Sequence, residues 1–231
     1  MKTLGVIGGI GPESTIDYYR LLVTTYRERV TDRSYPKIII NSINLRRMVD
    51  LVESGDLASL VDFLLGEIEK LQCAGADFGL IASNTPHMVF DELSRRSPLP
   101  LVSIVEATCE EAAASGLTRL GLFGSRFTMQ GRFYSDVFSK RGITVIMPAM
   151  PEQNYIHTKY MDELVEGVIL PETRAGLLEI VKRLKSHEQI QALILGGTEL
   201  PLILKDGMDP DIPFLDTTRI HVNKALAQML A

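Results

Sequence analysis

Two stretches of the chain place similar polar groups after similar apolar runs. Leu80-Ile81-Ala82 leads into Ser83-Asn84-Thr85-Pro86-His87, and Ile194-Leu195 leads into Gly196-Gly197-Thr198-Glu199-Leu200-Pro201. Hydroxyl and amide groups gathered where a buried strand ends can hydrogen-bond a small carboxylate. The same residue types cap helices, and one side chain can do both. Ser125 and Thr128 follow Leu120-Gly121-Leu122-Phe123-Gly124 in the same way. The turn Gly8-Gly9-Ile10-Gly11 brings backbone N–H groups to a helix start at Pro12, where a small anion can bind, and Gly9 is the candidate there.

Other chemistries fit less well. The glycine turn invites a dinucleotide, but the third glycine of that fingerprint is absent and Pro12 occupies the loop. His87 reads as a base or as a partly buried helix residue. His157, His187 and His221 have no partner identifiable from sequence, and no histidine–cysteine spacing points to zinc, so no metal is expected. Cys73 and Cys109 each lie in a helical pattern with apolar neighbours, which predicts two buried free thiols and no disulfide.

The elements that must position these groups alternate. Short apolar strands are expected at 4–7, 35–43, 78–82 and 100–104, and again at 120–123, 143–147, 192–195 and 214–215. Helices are expected between them, at 12–30, 56–72, 84–95 and 106–114, then 153–166, 172–185 and 217–230. In the second of these, Leu57, Leu60, Val61, Leu64, Leu65, Ile68 and Leu71 step by three and four along one stripe. Strands separated by helices predict parallel sheets with both faces covered, and ligands in such sheets bind beyond the carboxyl ends of the strands.

Three pairs of segments echo each other in order. Residues 80–87 echo 194–201, Leu4-Gly5-Val6-Ile7-Gly8 echoes Leu120-Gly121-Leu122-Phe123-Gly124, and Leu99-Pro100-Leu101-Val102-Ser103 echoes Ile212-Pro213-Phe214-Leu215-Asp216. This self-similarity predicts an α/β chain of two pseudo-symmetric parallel-sheet domains, with the site in the cleft between them. The first domain is placed at 1–100 plus 212–231 and the second at 101–211.

The 231 residues are 45% hydrophobic and 23% charged, ordinary for a globular chain, with a formal net charge of −5. No run of lysine and arginine supplies the basic face a nucleic-acid binder needs, so no nucleic-acid partner is expected. No apolar run approaches the roughly 18 residues of a membrane helix, so no membrane partner is expected either. The chain enters a strand at once, which predicts no signal peptide and a cytoplasmic location.

The motifs Gly8-Gly9 with Pro12-Glu13-Ser14-Thr15, Ser83-Asn84-Thr85-Pro86-His87, Gly124-Ser125 with Thr128-Met129, and Gly196-Gly197-Thr198-Glu199-Leu200 resemble the aspartate/glutamate racemase family in the family's order. The resemblance covers nearly the whole chain. It implies a cofactor-independent racemase of a small amino acid or dicarboxylate, working as a homodimer. It implies two cysteines on opposite faces of the substrate α-carbon, one removing the proton and the other returning it. Here Ser83 and Gly197 stand at those two positions. A thiol near pKa 8.5 is readily made a thiolate, a serine hydroxyl is not, and glycine has no side chain. The resemblance further implies substrate binding by Gly9, Asn84, Thr85, Ser125, Thr128, Thr198 and Glu199. Members that take acidic substrates often carry a lysine in the segment matching 152–158, where this chain has Tyr155, with Lys159 one turn on. Two functions therefore stand side by side: an amino-acid racemase, or a protein of the same fold that binds a small carboxylate or works on one face only, as a decarboxylase or isomerase.

Overall fold

The computed structural model describes residues 1–205, 207–209 and 211–231. Among the described residues there are two four-stranded sheets, and every strand pairing is parallel. The first sheet contains β1 (Leu4–Gly8), β2 (Ile38–Ser42), β3 (Phe78–Ile81) and β4 (Leu101–Val102) in the order β2-β1-β3-β4. The second contains β5 (Arg119–Gly124), β6 (Thr144–Ile146), β7 (Ala192–Gly196) and β8 (Phe214–Asp216) in the order β6-β5-β7-β8. Both sheets use the same order of first, second, third and fourth strand. The three sequence echoes correspond to β1/β5, β3/β7 and β4/β8.

The chain divides into two compact units, Met1–Ile104 with His221–Ala231, and Val105–Ile220. From sequence the return to the first domain was placed at 212. In the structure β8 pairs with β7, and the return comes at His221, inside the helix Thr217–Leu230.

The inner strands are apolar throughout because helices cover both faces of each sheet. Every residue of β1, β3 and β7 is buried, whereas the edge strand β2 is only partly covered. In the first unit Leu4, Val6, Phe78 and Leu80 of the sheet pack with Tyr18, Leu22 and Tyr26 of the helix Pro12–Arg29 and with Val222, Leu226 and Met229 of the last helix. In the second unit Phe123, Leu193 and Leu195 pack with Leu177, Val181 and Leu184 of the helix Pro171–Glu188. Each such side chain contributes about 1.5–3 kcal/mol by leaving water.

Register fixes where the site groups fall. β1 pairs with β3 from Leu4↔Phe78 to Ile7↔Ile81, and β5 with β7 from Leu120↔Ala192 to Gly124↔Gly196. The paired inner strands end level, so within each unit the turns that follow them are neighbours.

The helices differ from expectation in several places. Residues 84–95 are a 3-10 turn, Thr85–Val89, and then an α-helix, Phe90–Arg96. Val89 leaves helical geometry at φ −117° and ψ 15°, which separates the two pieces. The helix Leu45–Glu53 was not anticipated. Asn44 caps it by accepting from the Arg46 and Arg47 amides at 3.0 and 3.4 Å, and Met48 and Val52 are buried. Arg126–Gln130, Phe133–Ser139 and Leu200–Ile203 are further short helices. The helix expected at 153–166 begins earlier, at Met150–Lys159, and continues as a π turn over Tyr160–Leu164. The Val165 amide closes that turn on the Tyr160 carbonyl at 3.0 Å.

Candidate functional site

In the first unit the groups gather at the ends of β1 and β3. Gly9 adopts φ +80°, and a Cβ there would lie 2.5 Å from the Ile43 carbonyl oxygen, so the position requires glycine. Its N–H donates to Thr15 Oγ1 at 2.8 Å, which occupies one amide the sequence had offered to an anion. The helix Pro12–Arg29 nevertheless opens with no side chain capping its first amides. After β3, Ser83 and Asn84 are buried and Thr85 is half-buried. The Ser83 amide donates to Ile81 O at 2.8 Å and its carbonyl accepts from His87 at 3.0 Å, while its hydroxyl has no hydrogen-bond partner among the described residues.

His87 and His221 form a buried pair whose tautomers follow from their partners. The Ile104 amide donates to His87 Nε2 at 3.2 Å, so Nδ1 carries the hydrogen and donates to Ser83 O at 3.0 Å. His221 Nε2 donates to Val102 O at 2.9 Å, so Nδ1 accepts from the Tyr18 hydroxyl at 2.9 Å. Burial, and then the neighbouring His221, push the His87 pKa down to about 3. Burial pushes His221 down to about 4. Both rings are neutral with both nitrogens engaged, so His87 is a structural group with no lone pair left for a substrate proton. His221 had shown no partner in sequence because its contacts lie 203 and 119 positions away.

In the second unit the groups gather at the ends of β5 and β7. Ser125 Oγ accepts from the Thr128 amide at 3.2 Å and so caps the helix Arg126–Gln130, with the Thr128 hydroxyl also 3.2 Å away. Thr198 Oγ1 donates to Glu199 Oε2 at 2.9 Å, and the Tyr160 hydroxyl donates to the same oxygen. Glu199 is 1% exposed, so this carboxylate is held inside the protein by hydroxyl donors.

Gly197 does not leave open space where a side chain would be. A Cβ on it would lie 2.5 Å from Cε2, 3.0 Å from Cζ and 3.2 Å from Oη of Tyr160. The absent side chain is replaced in space by a phenol from another element. Burial, and then the Glu199 carboxylate, raise the pKa of that phenol well above its ordinary value. Sequence reasoning missed Tyr160. The stretch Ile156-His157-Thr158-Lys159-Tyr160-Met161 carries no catalytic spacing, and nothing local marks the ring's approach to Gly197. Tyr155 packs its ring against Gly176, and Lys159 is ion-paired with Glu163, which also accepts from Thr173.

The two thiols differ from expectation in one respect. Cys109 is buried, and burial raises its pKa. Cys73 is exposed, because it ends the helix Leu57–Cys73 off the apolar stripe that stops at Leu71. Among the described residues no group of three or more His, Cys, Asp or Glu side chains could hold a metal ion, and no helix is long and apolar enough to cross a membrane.

Comparison with known proteins places this arrangement. The sequence profile of the Asp/Glu/hydantoin racemase family matches residues 7–225. The broad specificity amino-acid racemase RacX of Bacillus subtilis (strain 168) is 24% identical over 243 residues, which span 99% of this chain and 98% of RacX. The crystal structure of an aspartate racemase homologue from Pyrococcus horikoshii OT3 superposes with a TM-score of 0.86 at 32% identity, covering 100% of both chains. The glutamate racemase isoform RacE1 of Bacillus anthracis shares the fold with a TM-score of 0.69 at 17% identity, over 99% of this chain and 82% of that one. Matched along almost its whole length, and built from two parallel sheets that end in the same kind of polar turn, this chain belongs to the Asp/Glu/hydantoin racemase family.

Proposed function

We propose that this protein is a cofactor-independent racemase acting on the α-carbon of a small amino acid or dicarboxylate. The observation that carries the reading is the duplicated polar turn after the third strand of each sheet, in a chain whose family match runs through both. Ser83 and Gly197 stand where the resemblance puts the two cysteines. Asn84 and Thr85 hold the α-carboxylate, with Gly9, Ser125, Thr128, Thr198 and Glu199 completing the binding groups. Hydroxyls and amides at the carboxyl ends of parallel strands are suited to that task. The absence of a side chain on Gly197 and the poor basicity of a serine hydroxyl make the turnover slow. The protein works in the cytoplasm as a homodimer, which sedimentation equilibrium would read as twice the 25.6 kDa chain mass.

The test is α-proton exchange. Each enantiomer of aspartate, glutamate and several neutral amino acids is incubated with the protein in heavy water without added cofactor. Deuterium at the α-carbon and loss of optical purity are expected for at least one of them. No exchange from any would overturn the reading. Asn84→Ala is expected to raise KM more than it lowers kcat.

A further inference from the structure

Three observations meet at one point of the second unit. A helix departs from α geometry at Tyr160–Leu164, and such π turns are frequent at functional sites. Tyr160, the first residue of that turn, lays its ring against Gly197, with Oη 3.2 Å from where a Cβ would be. Oη donates to a Glu199 carboxylate that is itself buried and accepts from Thr198 at 2.9 Å. A phenol and a carboxylate already joined by a hydrogen bond form a path along which a proton can move. That path starts beside the carboxyl end of β7.

We propose that the Tyr160 hydroxyl is a catalytic group that relays the substrate α-proton to the Glu199 carboxylate, on the side of the α-carbon that faces Gly197; this rests on the racemase reading above. In the deprotonation step the Cα–H bond breaks and its electron pair stays on carbon. The proton joins a lone pair of Tyr160 Oη while the existing Oη–H bond breaks and its proton lands on Glu199. The phenol is unchanged, Glu199 becomes neutral, and the negative charge it lost is carried by the substrate. Run backwards, the same relay delivers a proton to that face. No phenolate forms at any stage, which matters because burial and the adjacent carboxylate make a free phenolate at Tyr160 unfavourable. Thr198 holds the Glu199 oxygen in line. The relay supplies the chemistry that a side chain on residue 197 would otherwise have to provide.

The experiment measures deuterium incorporation separately from the L and the D enantiomer of whichever amino acid the native protein exchanges. Tyr160→Phe keeps the ring on Gly197 and removes only the hydroxyl. Glu199→Gln keeps the shape and removes the proton acceptor. Melting temperatures report whether each variant is folded, and Glu199→Gln alone decides if Tyr160→Phe is not. A positioned acid or base contributes roughly 10²–10⁴ in rate, so exchange from one enantiomer is expected to fall by about that factor while the other keeps most of its rate. Equal loss from both enantiomers, or loss from neither, would overturn the relay and leave the racemase reading in place. Absence of exchange in the native protein would overturn both.

Discussion

Tyr160 lies so close over Gly197 that a methyl group on the glycine would come within 2.5 Å of the ring carbon Cε2. Gly197 is not among the glycines of positive φ, so the constraint is the ring and not the backbone. Gly197→Ala therefore needs the partly exposed Tyr160 ring to move aside, and is expected to destabilise by about 1 kcal/mol, the low end of overpacking costs. Denaturant unfolding measures it. Adding Tyr160→Ala should recover much of the Gly197→Ala loss relative to Tyr160→Ala alone.

The same contact decides how thiols could be restored. Ser83→Cys with Gly197→Cys is expected to gain little racemisation while Tyr160 occupies the space. With Tyr160→Ala added, the new thiol has room, and a gain of roughly 10²–10⁴ over Tyr160→Ala alone is expected. The comparison is made on racemisation rates with melting temperatures alongside.

The histidine pair makes stability depend on acid. His87 and His221 have folded-state pKa values of about 3 and about 4, below the unfolded 6.5. The unfolded chain then binds more protons than the folded one, so this stability is complete above pH 6.5 and is lost as pH falls below it. Each histidine contributes a slope of about 1.4 kcal/mol per pH unit in that window. Carboxylates with lowered pKa, such as Glu67 and Glu163, add their own loss only further down. Unfolding free energy measured from pH 7 to 4.5 should fall steeply, and His221→Gln should remove one of the two slopes.

The cysteines are expected to label at different times. Cys73 is exposed and should react with a thiol reagent in the native protein, whereas the buried Cys109, its pKa raised by burial, should react only on unfolding. Neither lies at a strand-end turn, so Cys73→Ala and Cys109→Ala should retain turnover. Rapid native labelling of both thiols would contradict this.

Gly9 should tolerate no side chain. Gly9→Ala puts a Cβ 2.5 Å from the Ile43 carbonyl oxygen at φ +80°, combining strain with a clash against backbone that cannot swing away. A loss above about 1 kcal/mol in unfolding free energy is expected.

What could be read from the sequence was local or repeated. The runs Leu4-Gly5-Val6-Ile7-Gly8 and Ile194-Leu195 are strands because continuous apolar residues need cover on both faces, and the echoes mark equivalent strands of two sheets with one order. The helix Leu45–Glu53 was legible too, since Asn44 precedes Leu45, Met48 and Val52 at helical spacing. The site was less legible because its partners are distant. Tyr160 meets Glu199 across 39 positions and Tyr18 meets His221 across 203, and neither separation leaves a pattern along the chain. The filled space at Gly197 was invisible for the same reason. A glycine in a sequence does not say what stands where its side chain would be.

The π turn at Tyr160–Leu164 has a consequence for chain length. Its closing bond runs from the Val165 amide to the Tyr160 carbonyl, one residue more than an α turn needs. Removing a single residue such as Met161 would let that bond close with α spacing and leave Tyr160, whose amide still bonds the Ile156 carbonyl, where it stands. The same removal inside Met150–Lys159 would rotate everything beyond it by about 100°. The stretch beyond Tyr160 is thus a place where the chain can lose one residue without turning the phenol, whereas the same loss one turn earlier would re-aim it.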